Sequence, residues 1–357
     1  MSFSSFPAYT RIAENRYRER FGLDFEDFAP GQRFSHRPGV TITQQDNLDE
    51  ALDTMNAAMV HYDAKYAAQT AWKLPLMVST ITLQRLIGMS SKTFGRKHSL
   101  LGFKEIAMTG PVFGGDTLYA DSEITAVDAG DEPDTGVVTV VCKGINQHGK
   151  EIARLGYRVA VYKRGRHPDD QPVAGEKTAE RLDEPRFAAH RQLEDGKYLE
   201  QVGLFYEDCR AGETFVHWPR RTLLRDEGLE HSWRALELAP QYHDLEWVEQ
   251  HGEGQLRLSE AWIITVATAM TTRTFGRVVA NLGWTDIEFQ ARAMVGDTLE
   301  SESTIVDKRE SKSRPNEGIL TVDTRCYNQR QEQVLAYRRN LLVYKRNADT
   351  PYASAGY

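Results

Sequence analysis

The sequence predicts an α+β protein made of one unit used twice, each unit a long helix followed by an antiparallel sheet that curls around it. Three observations predict it. The first is a set of landmarks that return about 181 residues later: Phe25-Glu26-Asp27 as Tyr206-Glu207-Asp208, Thr93-Phe94-Gly95-Arg96 as Thr274-Phe275-Gly276-Arg277, and Gly115-Asp116-Thr117-Leu118 as Gly296-Asp297-Thr298-Leu299. The spacing drifts only to 182 by Val161-Tyr162-Lys163-Arg164, which returns as Val343-Tyr344-Lys345-Arg346. So many landmarks in register indicate a duplicated unit of roughly 150 residues. The second observation is a helix-like apolar stretch in each copy, Val78 to Arg96 and Trp262 to Arg277. The third is a series of four strand-like runs after it, which in the first copy are 99–104, 117–127, 136–146 and 151–163.

Taken in order, residues 1–21 are polar, carry Arg11, Arg16, Arg18 and Arg20, and read as a lead-in that covers the first domain. The first unit then runs over 22–164 and the second over 203–346, with a tail at 347–357. Between the units, residues 165–202 are rich in charge, proline and glycine, the composition of a linker running over the surface. Within the first unit, Leu48, Ala51, Leu52, Met55 and Met59 are three or four apart and predict an amphipathic helix. Ile81, Leu83, Leu86, Ile87 and Met89 suit a largely buried one. His148-Gly149 is placed to turn the last hairpin, with Gly149 free to take positive φ. Gly115-Asp116 and Gly296-Asp297 read as turns whose aspartates accept backbone hydrogen bonds.

With 27% charged and 40% hydrophobic residues, the chain has the composition of a folded globular protein. A net charge of −7 argues against an extended nucleic-acid surface. Cys142, Cys209 and Cys326 are widely spaced and odd in number, so neither a disulfide framework nor a metal set is expected. The start lacks a basic region followed by an apolar core, and no apolar run has the length of a membrane span, so a cytoplasmic protein without a membrane partner is expected.

The stretch with most chemistry in it is Asn56-Ala57-Ala58-Met59-Val60-His61-Tyr62-Asp63. Positions five apart on a regular helix miss a common face by about 140°, so Asn56 and His61 can share a pocket only where the helix breaks into a turn. The plain alternative is a solvated histidine at a helix end. In the second copy Leu238-Ala239-Pro240-Gln241-Tyr242-His243-Asp244 occupies the same region, and His243 is aligned with His61 and Leu238 with Asn56. A leucine cannot hold a water, so any site of this kind in the second copy is expected to be degenerate, with His243 expected to line a pocket there without doing chemistry.

The Gly-Asp-Thr-Leu strand entry, the Asn146-Gln147 and Asn328-Gln329 pairs before each last strand, and the turn ending in His61 together resemble the MaoC-like enoyl-CoA hydratases. The resemblance covers about residues 22–164 and 203–346, and implies a tandem hot-dog fold. Where that family usually carries Asp-x-Asn-Pro-x-His, this chain has Asn56 and His61, which looks like the branch acting on mesaconyl-CoA. The resemblance implies His61 as the base and Asn56 as an orienting amide, since an amide has no proton to exchange. Asp63 is either a substitute carboxylate or the N-cap of the next helical turn. Val78, Ser79 and Thr80, at the start of the buried helix, are expected to offer backbone N–H groups to a developing enolate. Lys92, Arg96 and Lys97, with Arg273 and Arg277 in the second copy, form clusters suited to coenzyme A phosphates or to solvation. His36 and His217 read as structural. No metal or redox cofactor is implied, coenzyme A being part of the substrate, and a homodimer is expected. The competing readings are a hydratase of itaconyl-CoA or of a straight-chain enoyl-CoA, a thioesterase using Glu260, and a non-catalytic acyl-CoA binder.

Overall fold

The structure, a computed structural model, describes residues 6–173, 176–235, 237, 239–251, 254–346 and 350. The tail expected at 347–357 lies outside the described residues apart from Thr350. Two sheets carry the fold. In the first, Lys97–Met108, Glu151–Tyr162, Thr135–Asn146, Thr117–Asp128 and Arg33–Thr41 lie side by side and antiparallel. In the second, Val278–Phe289, Gln333–Tyr344, Glu317–Tyr327, Thr298–Glu310 and Thr214–Thr222 repeat that order. Each sheet packs on one helix, Ser79–Met89 or Glu260–Met270, so the chain is a tandem hot-dog. The one-residue drift of the repeat arises where Thr298–Glu310 is a residue longer than Thr117–Asp128.

The motifs that mark the repeat close its sheets. Gln147 donates to the Asp116 carboxylate at 2.8 Å and accepts from the Thr117 amide at 3.0 Å, while Asp116 accepts from the Phe113 amide at 2.9 Å. Gln329, Asp297, Thr298 and Met294 repeat these bonds at 2.9, 2.8 and 3.0 Å. Gly149 turns its hairpin at φ 74° and Gly115 turns its loop at φ 101°, values that L side chains rarely adopt.

Both central helices are shorter than the apolar pattern suggested. Each spans 11 residues and gives way to a separate helical turn, Ser91–Phe94 or Thr271–Arg273. At the break, the Ser90 hydroxyl donates to the Ile87 carbonyl at 2.7 Å, and Thr271 donates to Thr268 at 2.8 Å in the same place of the second copy. Such side-chain bonds compete with the backbone ladder. Leu86 seats against the first sheet at Gly144, where a Cβ would lie 2.8 Å from its Cδ1.

The lead-in and the linker are where structure and expectation part. The lead-in does send Phe6 into the first core, but its strands Tyr9–Ala13 and Arg16–Glu19 belong to the second sheet, with Arg16–Glu19 parallel to Thr214–Thr222. Conversely, Tyr198–Glu200, from the expected surface linker, runs parallel to Arg33–Thr41 in the first sheet, with His190–Gln192 beyond it. Phe187 from the same segment is fully buried in the second core. The two segments are themselves repeats: Tyr17-Arg18-Glu19 corresponds to Tyr198-Leu199-Glu200 and Phe6 to Phe187, each 181 residues apart. Each copy therefore gives its leading strand to the sheet of the other.

Each exchanged strand delivers a buried carboxylate. Glu200 accepts from the Thr93 hydroxyl at 2.9 Å and the Arg37 amide at 3.0 Å and pairs with His36 Nδ1 at 2.9 Å, while His36 Nε2 meets Ser122 Oγ at 2.8 Å. Glu19 does the same for the second sheet, bonding Thr274 at 2.6 Å, the Trp218 amide at 3.0 Å and His217 Nδ1 at 3.0 Å. His36 and His217 are structural groups satisfied inside the protein. All three cysteines are buried and unpaired, and no helix among the described residues is long and apolar enough to cross a membrane.

Candidate active site

His61 ends a short 3-10 turn, Met59–His61, that follows the Gln44–Asp53 helix. Thr43 caps that helix in a capping box with Asp46. Its buried face is narrower than the apolar spacing predicted. Ala51 and Asn47 are buried, whereas Leu52 and Met55 are exposed because the helix stops at Asp53 and Met55 turns the chain at φ 54°.

Among the described residues the ring of His61 is held by one hydrogen bond. Nδ1 lies 2.7 Å from the Leu76 carbonyl. A carbonyl only accepts, so in the neutral ring the proton sits on Nδ1 and the Nε2 lone pair is left for chemistry. What fixes this arrangement is Asn47, a fully buried residue that sequence reasoning passed over. Its amide donates to the His61 carbonyl at 2.7 Å and the Leu76 carbonyl at 3.1 Å, and its Oδ1 accepts from the Val78 amide at 2.7 Å. Gln44 adds a second donor to the His61 carbonyl at 2.9 Å. One side chain thus ties the histidine turn to the start of the Ser79–Met89 helix. That start has no side-chain cap, and its Ser79 and Thr80 are exposed, with the Thr80 hydroxyl donating to the Glu50 carboxylate at 2.9 Å.

Asn47→Asp replaces the two-proton donor with an acceptor facing two carbonyls. The expected result is a fall in kcat of about 100-fold, as for a base displaced by an ångström, with KM nearly constant. Steady-state kinetics beside a denaturation curve checks it; loss of stability with kcat unchanged would make Asn47 purely structural.

Asn56 lies three residues before the Met59–His61 turn, and no hydrogen bond joins it to His61 among the described residues. The Asn56 Oδ1 accepts from the Ala58 amide at 3.0 Å, leaving its NH2 as the available group. Asp63 is the N-cap of Ala64–Ala67, accepting from the Tyr66 amide at 2.9 Å, which is the structural one of the two roles considered for it.

The second copy is aligned differently from the sequence reading. The turn matching Met59–His61 is Pro240–Tyr242, and Asp244 caps the next helix as Asp63 does, so the offset is 181 and not 182. Tyr242, not His243, stands at the place of His61. Glu237 stands at the place of Asn56, its carboxylate accepting from the Ala239 amide at 3.1 Å. Leu238, to which that role was given, lies outside the described residues. Tyr242 donates to Glu260, which starts the second helix where Ser79 starts the first. Burial, together with the Glu260 carboxylate, pushes the Tyr242 phenol up to about 12. Asn47 has no counterpart either: Gly228 takes its position, and a Cβ there would fall 2.2 Å from Leu258 Cδ2. The second copy thus lacks both the histidine and the asparagine clamp, and carries a carboxylate at the start of its central helix.

The basic cluster is also corrected. Arg96 is 1% exposed and binds Asp24 at 2.8 Å and Asp170, so it is closed to a ligand. Lys92 is half-buried, its ammonium donating to the carbonyls of Arg37 at 3.0 Å and Gln201 at 3.2 Å. Burial lowers its pKa. Arg277 is buried, reaching the Gly203 carbonyl at 3.3 Å. Lys97 alone of the first-copy cluster is exposed, on the edge strand. Among the described residues no three of His, Cys, Asp and Glu converge as a metal site.

Comparison with known proteins gives a consistent direction. The family described as Mesaconyl-CoA hydratase matches this chain twice, over residues 4–201 and 183–354. A mesaconyl-CoA hydratase of Cereibacter sphaeroides is 33% identical over 156 residues, 42% of this chain and 44% of that protein. A β-methylmalyl-CoA dehydratase of Chloroflexus aurantiacus is 28% identical over 42% of each chain. The chain thus aligns with less than half the length of these relatives, whereas a mesaconyl-CoA hydratase of Haloarcula marismortui is matched over 93% of both chains at 23% identity. Among solved structures, a conserved hypothetical protein of Mycobacterium tuberculosis with a double hotdog fold superposes with a TM-score of 0.38 at 20% identity, over 90% of this chain and 99% of that one.

Proposed function

This chain belongs to the mesaconyl-CoA hydratase family, and from that premise we propose that it adds water reversibly to mesaconyl-CoA (2-methylfumaryl-CoA), giving β-methylmalyl-CoA. The observation that carries the reading is the His61 ring, its Nδ1–H donating to the Leu76 carbonyl and its Nε2 lone pair free, clamped by Asn47 to an uncapped helix start.

In this mechanism Nε2 takes a proton from water as the water oxygen bonds to the β-carbon. Electrons of the double bond move onto the thioester oxygen, and the amides of Ser79 and Thr80 stabilise that charge. The imidazolium then returns the proton to the α-carbon on the same face, so the elements of water add syn and His61 is regenerated. The Asn56 amide orients the water. The balance involves water and substrate alone, with coenzyme A carried by the substrate.

The test is loss of the conjugated enoyl-thioester absorbance with purified protein and mesaconyl-CoA. Rapid hydration supports the full reading. Activity on crotonyl-CoA but not on mesaconyl-CoA would keep the mechanism and remove the dicarboxylate. Silence on every enoyl-CoA would overturn it in favour of a binder.

A further inference from the structure

The copy that holds His61 differs from the other at one strained backbone position. Leu76 and Arg257 make matching isolated bridges, to Phe113 and Met294, and their amides reach the matching carbonyls of Val60 and Gln241. With the two caps, Asp63 and Asp244, these contacts fix the offset of 181 across the loop between them. Lys73 therefore matches Gly254, and both take positive φ, 63° and 72°. Glycine adopts that conformation freely, whereas a residue with a Cβ is strained in it. The second copy has the glycine, and the first keeps a lysine. Such strain persists where the surrounding structure enforces it, and it clusters at functional sites.

The charge around Lys73 points to its use. Residues 44–79 carry five acidic side chains, Asp46, Asp49, Glu50, Asp53 and Asp63, against two basic ones, Lys65 and Lys73. Glu50 is held at the start of the buried helix by Thr80 and Gln84, each at 2.9 Å. A second carboxylate brought into this turn is repelled unless a cation meets it. In 2-methylfumaryl-CoA the free carboxylate is carried by the β-carbon, the atom that the water oxygen joins, so its cation must lie near the His61 ring. Arg85 pairs with Asp46 at 3.5 Å, and Lys92 and Arg96 are bound inside the protein. Lys73 is exposed, and its ammonium has no hydrogen-bond or ion-pair partner among the described residues. Three residues separate it from Leu76, whose carbonyl holds the His61 ring, a span of at most about 11 Å of extended chain. Its flexible four-carbon stem can cross the rest. We propose that Lys73 is the specificity-determining cation of the site, pairing with the free carboxylate of the acyl group. The assignment rests on the hydratase reading above.

Steady-state kinetics of the full chain with mesaconyl-CoA and with crotonyl-CoA, which carries a methyl group in place of that carboxylate, tests it. Lys73→Gly removes the ammonium and suits the backbone, so the thermal midpoint should not fall. Its kcat/KM for mesaconyl-CoA is expected to drop about 10–100-fold, mainly through KM, the usual worth of a hydrogen bond to a charged group. Its crotonyl-CoA kinetics should stay as in the wild type. Lys73→Arg, which keeps the charge, should recover most of the loss. Lys65→Ala, at the other cation of the stretch, should change neither substrate. Unchanged mesaconyl-CoA kinetics in Lys73→Gly would overturn the proposal, as would equal losses on the two substrates or a selective loss in Lys65→Ala instead. The two readings fail separately. Turnover of mesaconyl-CoA indifferent to Lys73→Gly removes the lysine alone. Where no enoyl-CoA turns over, the hydratase falls, and calorimetric affinity reads the same contact: a tenfold weakening of mesaconyl-CoA but not of crotonyl-CoA in Lys73→Gly keeps the lysine, and equal affinities remove it.

Discussion

His61→Ala is expected to lower turnover of mesaconyl-CoA by a factor of about 10²–10⁴, the usual contribution of a positioned acid–base group. The loss should fall on kcat, because the Nε2 lone pair acts in the transition state and among the described residues the ring makes one hydrogen bond, to the Leu76 carbonyl. His61→Gln sharpens the test: an amide can still donate to that carbonyl but cannot exchange a proton, so it should be nearly as inactive. Asn56→Ala should cost less, about tenfold, since its Oδ1 is engaged with the Ala58 amide and only its NH2 remains to hold water. Tyr242→Phe, in the second copy, should leave kcat in place. Steady-state kinetics on the four variants decides the matter, and a His61→Ala protein retaining more than about a tenth of wild-type kcat would remove His61 from the chemistry.

Glu200→Ala should be the most destabilising single change in the molecule, by about 3–5 kcal/mol, because it strips partners from a buried ionic cluster. It leaves the buried His36 Nδ1 and the half-buried Arg37 amide without their acceptor, and the buried Thr93 hydroxyl with His190 beside it at 3.1 Å. Glu19→Ala should match it from the other sheet, by the same contacts to His217, Thr274 and Trp218. Urea denaturation reads both; a loss under about 1 kcal/mol would mean that the exchanged strands are not held by their carboxylates. Acid should mimic the change. Burial works to raise the Glu200 carboxyl, but His36, His190 and Lys92 hold it below the usual range. Its contribution is therefore present above the unfolded carboxylate pKa and is lost as pH falls through the folded one. Beside it, burial lowers His190 to about 4. Below about 6.5 the unfolded chain binds a proton that the native His190 refuses, so stability declines from there toward pH 4, by about 3 kcal/mol from this residue.

Much of this fold could be read in the sequence, because a period of 181 residues and strands of 12 leave strong patterns. The exchanged strands left little. Arg16–Glu19 and Tyr198–Glu200 are three or four residues long and partly charged, and what buries them is pairing with the other copy, a contact that no local pattern encodes. The signal was nonetheless present, since Tyr17-x-Glu19 and Tyr198-x-Glu200 keep the common offset. In the candidate site, the turn that ends in His61 and the capping role of Asp63 were legible. Asn47 was not, since an asparagine inside a helix looks like a surface residue until the chain folds back over it. The histidine match at His243 misled for a similar reason: identity of residue type outweighed the register that Asp63 and Asp244 preserve. Arg96 misled because a cation at a helix end ordinarily faces solvent, whereas this one is buried against Asp24 and Asp170.

The exchange of leading strands also constrains the order in which the chain can fold during its synthesis. His36 emerges from the ribosome long before Glu200, its partner 164 positions later, and Glu19 waits 198 positions for His217. At translation rates of about 5–20 residues per second, each delay lasts about 10–40 s. Throughout it the nascent first sheet presents Arg33–Thr41 as an open edge, and Tyr9–Glu19 is without its sheet. The arginines of that early segment, Arg11, Arg16 and Arg18, are the charges that keep an unpaired strand from joining a neighbour while it waits.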